Sequence, residues 1–235
     1  MSLPVIILAG GLAQRLRPLT DKIPKAMLEI CQKPFIEWQI KLLRSRGISQ
    51  IVLCVGYLGE MIEKFVGDGS QFGVGIRYSY DGNTLLKTGG AIKKALKYID
   101  SSFFVLYGDS YLTIDYQAVQ NAYINSGKKG LMTIYKNNNQ FDKSNVVFKN
   151  GQIAAYSKKQ VLDDMDYIDY GLGILNKDEF LNEKRDIFDL ADIYEKLAQK
   201  NQLTGYEVFE RFYEIGSKCG IKELEDFLNG QTNAK

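Results

Sequence analysis

The alternation of strand-like and helix-like stretches over residues 1–135 constrains the fold more than any other feature of this chain. Runs rich in β-branched and aromatic residues predict strands over 4–8, 50–55, 76–80, 103–107 and 131–135. Between them, helical spacing of apolar residues predicts helices over 36–43, 57–66, 91–99 and 115–125. Because strands joined by helices of this length form right-handed βαβ units, we expect an α/β fold with a Rossmann-like, mostly parallel sheet flanked by helices.

The pattern changes after about residue 136. Asn150-Gly151 separates two short strand-like runs, 145–149 and 152–157, and predicts a hairpin with a type I′ turn. The rest of this half predicts strands over 168–175, 206–209 and 212–215 and helices over 187–200 and 221–228. No stretch rich in Pro, Gly or Ser separates the halves, so we expect one domain, 1–235, with a smaller α+β lobe over 136–235.

The chain contains no histidine among its 235 residues, and this restricts its chemistry. Catalytic units of the Ser-His-Asp and Cys-His types are excluded because both need an imidazole base. Three widely spaced cysteines without histidine also argue against a zinc site. Acid–base or metal chemistry must therefore use Asp, Glu, Lys, Tyr or Cys, and the sparse thiols favour a reducing, cytoplasmic location.

Charge and hydropathy argue against two classes of partner. The formal net charge is +2, from 30 basic and 28 acidic residues, which gives no electrostatic footprint for nucleic acid. The apolar run near the start, Val5 to Ala9, is too short for a signal-peptide core or a membrane span. We therefore expect neither a nucleic-acid partner nor a membrane partner.

The loop after the first predicted strand has the composition of an anion site. Gly10 and Gly11 let backbone N–H groups approach a ligand closely, and Arg15 and Lys25 add two cations. This combination suits a polyphosphate, since arginine binds phosphate oxygens through a planar fork of donors. The two glycines by themselves are equally consistent with an ordinary strand-to-loop turn beside solvated basic residues.

The same segment resembles the signature of the sugar-1-phosphate nucleotidyltransferases, also called nucleotide-sugar pyrophosphorylases. The resemblance begins with Gly10-Gly11-x-x-x-Arg15-Leu16-x-Pro18-Leu19-Thr20 and Pro24-Lys25. Further pieces follow in the family's order: Lys33-Pro34, Gly56-Tyr57, Gly67-Asp68-Gly69, Thr88-Gly89-Gly90-Ala91, Gly108-Asp109 and Glu214-Ile215-Gly216. It implies a GT-A-like fold with a nucleotide-binding lobe over 1–135 and a sugar-phosphate-binding lobe over 136–235. In the implied reaction a sugar 1-phosphate attacks the α-phosphorus of a nucleoside triphosphate, pyrophosphate leaves and a nucleotide-sugar forms.

The resemblance also implies roles for residues of the first lobe. Arg15 and Lys25 would be catalytic, Arg15 on the leaving β- and γ-phosphates and Lys25 on the α-phosphate. The nucleotide would contact two groups of residues: Leu8, Ala9, Gly10 and Gly11, then Thr88, Gly89 and Gly90. Ala13 departs from the pattern because the family usually has a third glycine there, and its Cβ disfavours a positive φ. The loop 81–87 lacks the glutamine usual in the thymidylyltransferase branch, which argues against dTTP and leaves guanine and uracil open.

A magnesium ion is the implied cofactor. Asp109 follows the predicted strand 103–107 after one glycine, and Mg²⁺ prefers carboxylate oxygen, although a turn or helix-capping aspartate is the alternative interpretation. In the family this aspartate binds the metal, and a second carboxylate, usually aspartate, corresponds to Glu214. The extra methylene of Glu214 could shift the coordination or make it water-mediated.

The implied sugar site departs furthest from the family pattern. Lys158 matches the lysine that holds the sugar phosphate, but Ser157 replaces a glutamate that often binds sugar hydroxyls. Asn145, Asp169 and Gly171 fall at positions that contact the sugar in the family. Each of these residues could equally be a solvated polar group of a hairpin.

The sequence thus predicts a Mg²⁺-dependent enzyme that joins an NTP, with GTP favoured, to heptose 1-phosphate or mannose 1-phosphate for cell-envelope polysaccharide synthesis. Three alternatives stay open: an N-acetylmuramate-1-phosphate uridylyltransferase, a nucleotidyltransferase for a non-sugar acceptor such as phosphocholine or molybdopterin, and a catalytically silent nucleotide-sugar-sensing subunit. The sequence leaves the oligomeric state open.

Overall fold

A computed structural model describes residues 2–160, 162 and 164–233, the last three of them as backbone only. The strands are β1 Val5–Leu8, β2 Glu29–Ile30, β3 Lys33–Pro34, β4 Gln50–Val55, β5 Gly75–Tyr80, β6 Ser102–Tyr107, β7 Ser110–Tyr111, β8 Gly130–Lys136, β9 Val146–Lys149, β10 Gln152–Tyr156, β11 Tyr167–Asn176, β12 Leu203–Val208 and β13 Tyr213–Glu214. The α-helices are α1 Phe35–Ser45, α2 Gly59–Val66, α3 Lys87–Ala95, α4 Tyr116–Ser126, α5 Ala191–Gln199 and α6 Lys218–Asn233. Within these ranges no helix combines the length and apolar character needed to cross a membrane.

A nine-stranded sheet forms the centre of the molecule, in the order β5-β4-β1-β6-β11-β8-β12-β10-β9. Strands β5, β4, β1 and β6 are parallel to one another, and β8 pairs in parallel with β12. Strands β10 and β11 run opposite to the rest. The predicted α/β architecture with a mostly parallel sheet is therefore present, and β11 enters it between β6 and β8.

The sheet is covered on both faces, which explains the continuous apolar runs of its central strands. In β1, Val5 and Ile7 pack into one core with α1, α2 and α4. Ile6, which points to the other face, packs with α3 and α5. All three side chains are fully buried, so the site above them rests on a rigid support.

Several predicted boundaries move for identifiable reasons. The helix predicted over 91–99 begins at Lys87 and ends at Ala95, and a 3₁₀ turn follows over Leu96–Tyr98. The helix predicted over 187–200 begins only at Ala191, because the preceding residues pack on α3. The predicted hairpin is confirmed: β9 and β10 are antiparallel, and Asn150 and Gly151 have φ of 52° and 76°, as a type I′ turn requires.

The topology brings distant segments together at the carboxyl ends of β1 and β6. Strands β7 and β13 form a small antiparallel sheet that pairs Ser110 with Glu214. The amide of Ile215 donates a hydrogen bond of 3.0 Å to the carbonyl of Asp109. The division into two lobes at about residue 135 stays a prediction. Strand β11, from the predicted second lobe, lies in the sheet between β6 and β8.

Candidate active site

Three adjoining cavities open at the carboxyl ends of the parallel strands, where ligands bind in α/β sheets. Their volumes are about 280, 440 and 400 Å³, and we call them the first, second and third cavity. Lys25 borders the first and second, Arg15 the second and third, and Tyr107 and Asp109 the first and third. Because they share these residues, the cavities form one continuous cleft.

One wall of the first cavity is the predicted glycine loop. Leu8, Ala9, Gly10 and Gly11 all border it. A Cβ on Gly10 would lie 3.1 Å from the amide nitrogen of Gly56, whereas Gly11 faces open space within the described part of the chain. The first glycine thus lets two loops approach each other, and the second leaves room for a ligand.

The Thr88-Gly89-Gly90 segment is arranged differently from the sequence expectation. Thr88 borders the first cavity but does not cap α3, because its Oγ1 accepts a hydrogen bond of 2.8 Å from the amide of Leu190. Gly89 and Gly90 both donate their N–H groups to the carbonyl of Phe188, and a Cβ on Gly89 would lie 2.3 Å from the Phe188 ring. The two glycines are therefore needed for packing against residues 186–190, and neither is in the described lining of the first cavity.

Asp81 borders the first cavity together with the glycine loop, and sequence reasoning missed it. Its Oδ2 accepts a hydrogen bond of 3.2 Å from the amide of Leu86, and its side chain is largely buried. Burial raises the pKa of the Asp81 carboxyl, partly offset by the charge of Lys94. Its position in the sequence could have identified it, because Asp81 directly follows strand β5 in the same way that Asp109 follows β6 after one glycine.

The predicted catalytic residues meet where the three cavities join. Lys25 Nζ lies 2.7 Å from Asp109 Oδ2, and both side chains are about a quarter exposed, at 21% and 27%. Arg15 Nη2 and Asp109 Oδ2 each lie 3.4 Å from the point that a Cβ on Gly216 would occupy. Two cations and one carboxylate thus converge at a solvent-accessible point, an arrangement suited to a polyphosphate.

The loop that carries Arg15 adopts a strained conformation at Ala13. Ala13 has φ of 48° and ψ of 40°, which is the left-handed region. Its carbonyl accepts hydrogen bonds of 3.0 Å from both the Thr20 hydroxyl and the Leu16 amide. These contacts hold Ala13 in the left-handed conformation, which a glycine would adopt without the cost of a Cβ.

Two carboxylates at this junction offer hard oxygen ligands. Glu214 Oε2 lies 2.7 Å from the same point beside Gly216, but Glu214 already accepts hydrogen bonds from the Ser217 hydroxyl, at 2.6 Å, and from the Gly216 amide. In the described part of the chain, no group of three or more metal-ligating side chains is present. Since Mg²⁺ typically binds one or two carboxylates and completes its shell with phosphate oxygens and water, Asp109 and Glu214 fit such an ion.

The third cavity contains the predicted sugar residues Asp169 and Gly171. Gly171 has φ of 102° and interrupts the pairing of β11 with β8, so its amide can donate a 3.0 Å hydrogen bond to Asp169 Oδ1. Asn145 does not belong to the described lining of this cavity, but its Oδ1 accepts from the Asp169 amide at 3.0 Å. Burial raises the pKa of the Asp169 carboxyl, with Lys158 acting in the opposite direction.

Tyr107, which sequence reasoning also missed, connects Asp169 to Lys158. Its hydroxyl donates to Asp169 Oδ2 at 3.1 Å and accepts from Lys158 Nζ at 3.3 Å. Lys158 Nζ also lies 5.2 Å from the centre of the Tyr107 ring, within range of a cation–π interaction. Tyr107 is the last residue of β6, and ligands bind at the carboxyl ends of such strands, so its position in the sequence could have identified it.

A model of the nucleotidyl transferase family matches residues 4–220 of this chain. The chain belongs to this family. The D-glycero-alpha-D-manno-heptose 1-phosphate guanylyltransferase of Campylobacter jejuni is 34% identical over 201 residues, which are 83% of this chain and 88% of that protein. The N-acetylmuramate alpha-1-phosphate uridylyltransferase of Neisseria meningitidis is 41% identical over 114 residues, about half of each chain.

The structural comparison agrees with the family. The crystal structure of HddC from Yersinia pseudotuberculosis complexed with GMP-PN superposes with a TM-score of 0.81 and 25% identity, covering 96% of this chain and 99% of that one. The predicted family and the predicted α/β nucleotidyltransferase fold are both confirmed. The chain is a nucleotidyltransferase.

Proposed function

We propose that the chain transfers a guanylyl group from GTP to a heptose 1-phosphate or mannose 1-phosphate and releases pyrophosphate. The observation that carries the proposal is the continuous cleft in which Arg15, Lys25 and Asp109 lie between the first and third cavities. The product would be a nucleotide-sugar made in the cytoplasm for cell-envelope polysaccharide synthesis.

The reaction is a displacement at the α-phosphorus of GTP. A phosphate oxygen of the sugar 1-phosphate forms the new bond, and the bond from the α-phosphorus to the oxygen shared with the β-phosphate breaks. Because the attacking phosphate is already an anion, positioning and charge neutralisation matter more than a general base. This chemistry is compatible with a chain that has no histidine.

Arg15 and Lys25 supply the positive charge in this proposal. Arg15 borders the second cavity, where the β- and γ-phosphates would lie, and Lys25 borders both the first and the second. The 2.7 Å contact of Lys25 with Asp109 supports a role for Lys25 on the α-phosphate. Asp109 and Glu214 would hold Mg²⁺, which when bound supplies further neutralisation of phosphate charge.

Asp81 favours guanine in the first cavity. The edge of guanine presents two adjacent N–H donors, and a carboxylate accepts from both. Uracil presents a single N–H between two carbonyl oxygens, which a carboxylate would repel. The Campylobacter guanylyltransferase and the HddC complex with GMP-PN support the same choice, whereas the Neisseria relative keeps a uridylyl donor as the alternative.

The third cavity would hold the sugar phosphate. Lys158 is not in the described lining of this cavity, but its Nζ lies 3.3 Å from the hydroxyl of Tyr107, which is, and Lys158 would bind the phosphate from there. Asp169 would accept hydrogen bonds from sugar hydroxyls. Asn145 and Gly171 act on Asp169 through their hydrogen bonds to its amide and its carboxylate.

The test is pyrophosphate release from purified protein with each NTP and each candidate acceptor. We expect turnover with GTP and a sugar 1-phosphate, and a loss of about 10²–10³-fold in kcat for Arg15→Gln, as for removal of one transition-state donor. Arg17→Gln is the matched control, since Arg17 is exposed in the same loop and pairs with Asp21. Release with phosphocholine or molybdopterin, but with no sugar phosphate, would show a non-sugar acceptor. No release with any pair would favour a nucleotide-sugar-sensing protein.

A further inference from the structure

The charge of the third cavity limits which sugars it can accept. Its described lining carries five carboxylates and two guanidinium groups: Asp109, Asp142, Asp169, Glu214 and Glu223 with Arg15 and Arg211. Arg15 is assigned to phosphates, and Asp109 and Glu214 to the metal. The remaining charged residues are three acids, Asp142, Asp169 and Glu223, and one base, Arg211. An anionic substituent on the sugar would therefore be repelled.

Arg211 and Glu223 form an ion pair in the wall of this cavity. Neither residue is in the described lining of the first or second cavity, so the pair lies away from the junction assigned to the phosphates. The Arg211 guanidinium is held between two rings, 4.9 Å from Phe141 and 5.4 Å from Tyr213. The two rings thus hold the Arg211 guanidinium in one orientation in the wall of the third cavity.

The hydrogen bonding of this pair is incomplete. Arg211 donates through Nη2 to Glu223, while its Nε is buried and has no hydrogen-bond partner in the described part of the chain. The side chains are 37% and 41% exposed, and ion pairs this accessible contribute little to stability. The exposed part of each side chain is open to a ligand, and a hydroxyl group can accept from the Arg211 guanidinium and donate to Glu223.

We propose that the Arg211–Glu223 pair determines sugar specificity by binding hydroxyl groups of the exocyclic chain of a neutral sugar. The proposal rests on the proposed function and deepens it. A sugar anchored through the phosphate on C1 directs its remote hydroxyls to this wall, and the exocyclic chain reaches furthest. The ligand class is a neutral sugar 1-phosphate with an extended hydroxylated chain, such as a heptose.

The experiment compares heptose 1-phosphate, mannose 1-phosphate and N-acetylmuramate 1-phosphate as acceptors for wild type, Arg211→Ala and Glu223→Gln. We expect wild type to prefer the heptose and to reject the carboxylate-bearing sugar. In each variant the ratio of kcat/KM for heptose to that for mannose should fall about tenfold or more, as expected for loss of a hydrogen bond to a charged group. Lys149→Ala is the control, because it removes an exposed ion pair with Asp164 outside the cavity and should leave the ratio unchanged.

Two results would overturn the proposal. One is an equal loss for heptose and mannose, or no loss, in correctly folded Arg211→Ala protein. The other is a preference for N-acetylmuramate 1-phosphate that Arg211→Ala abolishes, because Arg211 would then bind a carboxylate. Calorimetric binding of the same sugar phosphates without NTP gives the ratio independently of turnover, so failure of this inference is distinguishable from failure of the proposed reaction.

Discussion

Replacing Ala13 with glycine should stabilise the protein. Ala13 has φ of 48°, in the left-handed region where a Cβ approaches its own backbone. The Thr20 hydroxyl and the Leu16 amide both bind the Ala13 carbonyl, so the loop keeps this shape in either variant. The substitution thus removes strain without removing a contact made by the backbone.

The size of the effect follows from two opposing contributions. The left-handed conformation costs an L-residue about 1–2 kcal/mol relative to the right-handed one. Glycine also makes the unfolded chain more flexible, which reduces the gain in stability by about 0.4–1 kcal/mol. We therefore expect a net gain of about 0.5–1 kcal/mol, which for a chain of this size raises Tm by about 1–4 °C.

Differential scanning calorimetry of wild type, Ala13→Gly and Ala122→Gly measures the effect. Ala122 lies within α4, where the same change should lower stability by about 1 kcal/mol, so the two variants should shift Tm in opposite directions. A decrease in Tm for Ala13→Gly would refute the conclusion that this backbone is strained.

Three further substitutions test the site. Asp81→Asn should reduce the preference for GTP over UTP about tenfold or more in kcat/KM, because only one of the two guanine N–H donors keeps an acceptor. Tyr107→Phe should raise KM for the sugar phosphate about fivefold with little change in kcat, since Lys158 loses one hydrogen bond but keeps the ring beneath it. Asp169→Asn should unfold at a higher Tm than wild type at pH 7, while activity falls. Burial raises the pKa of Asp169, so its ionised form reduces stability at pH 7. The difference in Tm should shrink as pH falls and disappear below about pH 4, where the carboxyl becomes protonated in the unfolded state as well.

Local sequence signals predicted the site residues that lie just after the central strands. Gly10, Gly11 and Asp109 could be assigned because a buried strand precedes them and ligands bind at such ends. The same rule would have selected Tyr107 and Asp81 if it had been applied to the last residue of β6 and to β5.

Other features depend on contacts that no local pattern encodes. Gly89 and Gly90 fit a base-binding loop in sequence, but the Phe188 ring and the Asp186 carbonyl occupy the space beside them. Arg211 and Glu223 lie on either side of β13 in the chain. The pairing of β13 with β7, a strand about a hundred residues earlier, brings them to the third cavity. Neither arrangement could be predicted from spacing, because both follow from tertiary packing.

The central claim is that Lys25, Arg15 and Asp109 form a centre for nucleotidyl transfer to a sugar 1-phosphate. The most direct measurement is the rate of pyrophosphate release from GTP and heptose 1-phosphate by wild type, Lys25→Met and Lys22→Met. Lys22 is exposed in the same loop and has the same side chain, so it controls for general charge. We predict a loss of about 10²–10³-fold for Lys25→Met and wild-type turnover for Lys22→Met. Wild-type turnover by Lys25→Met would contradict the claim.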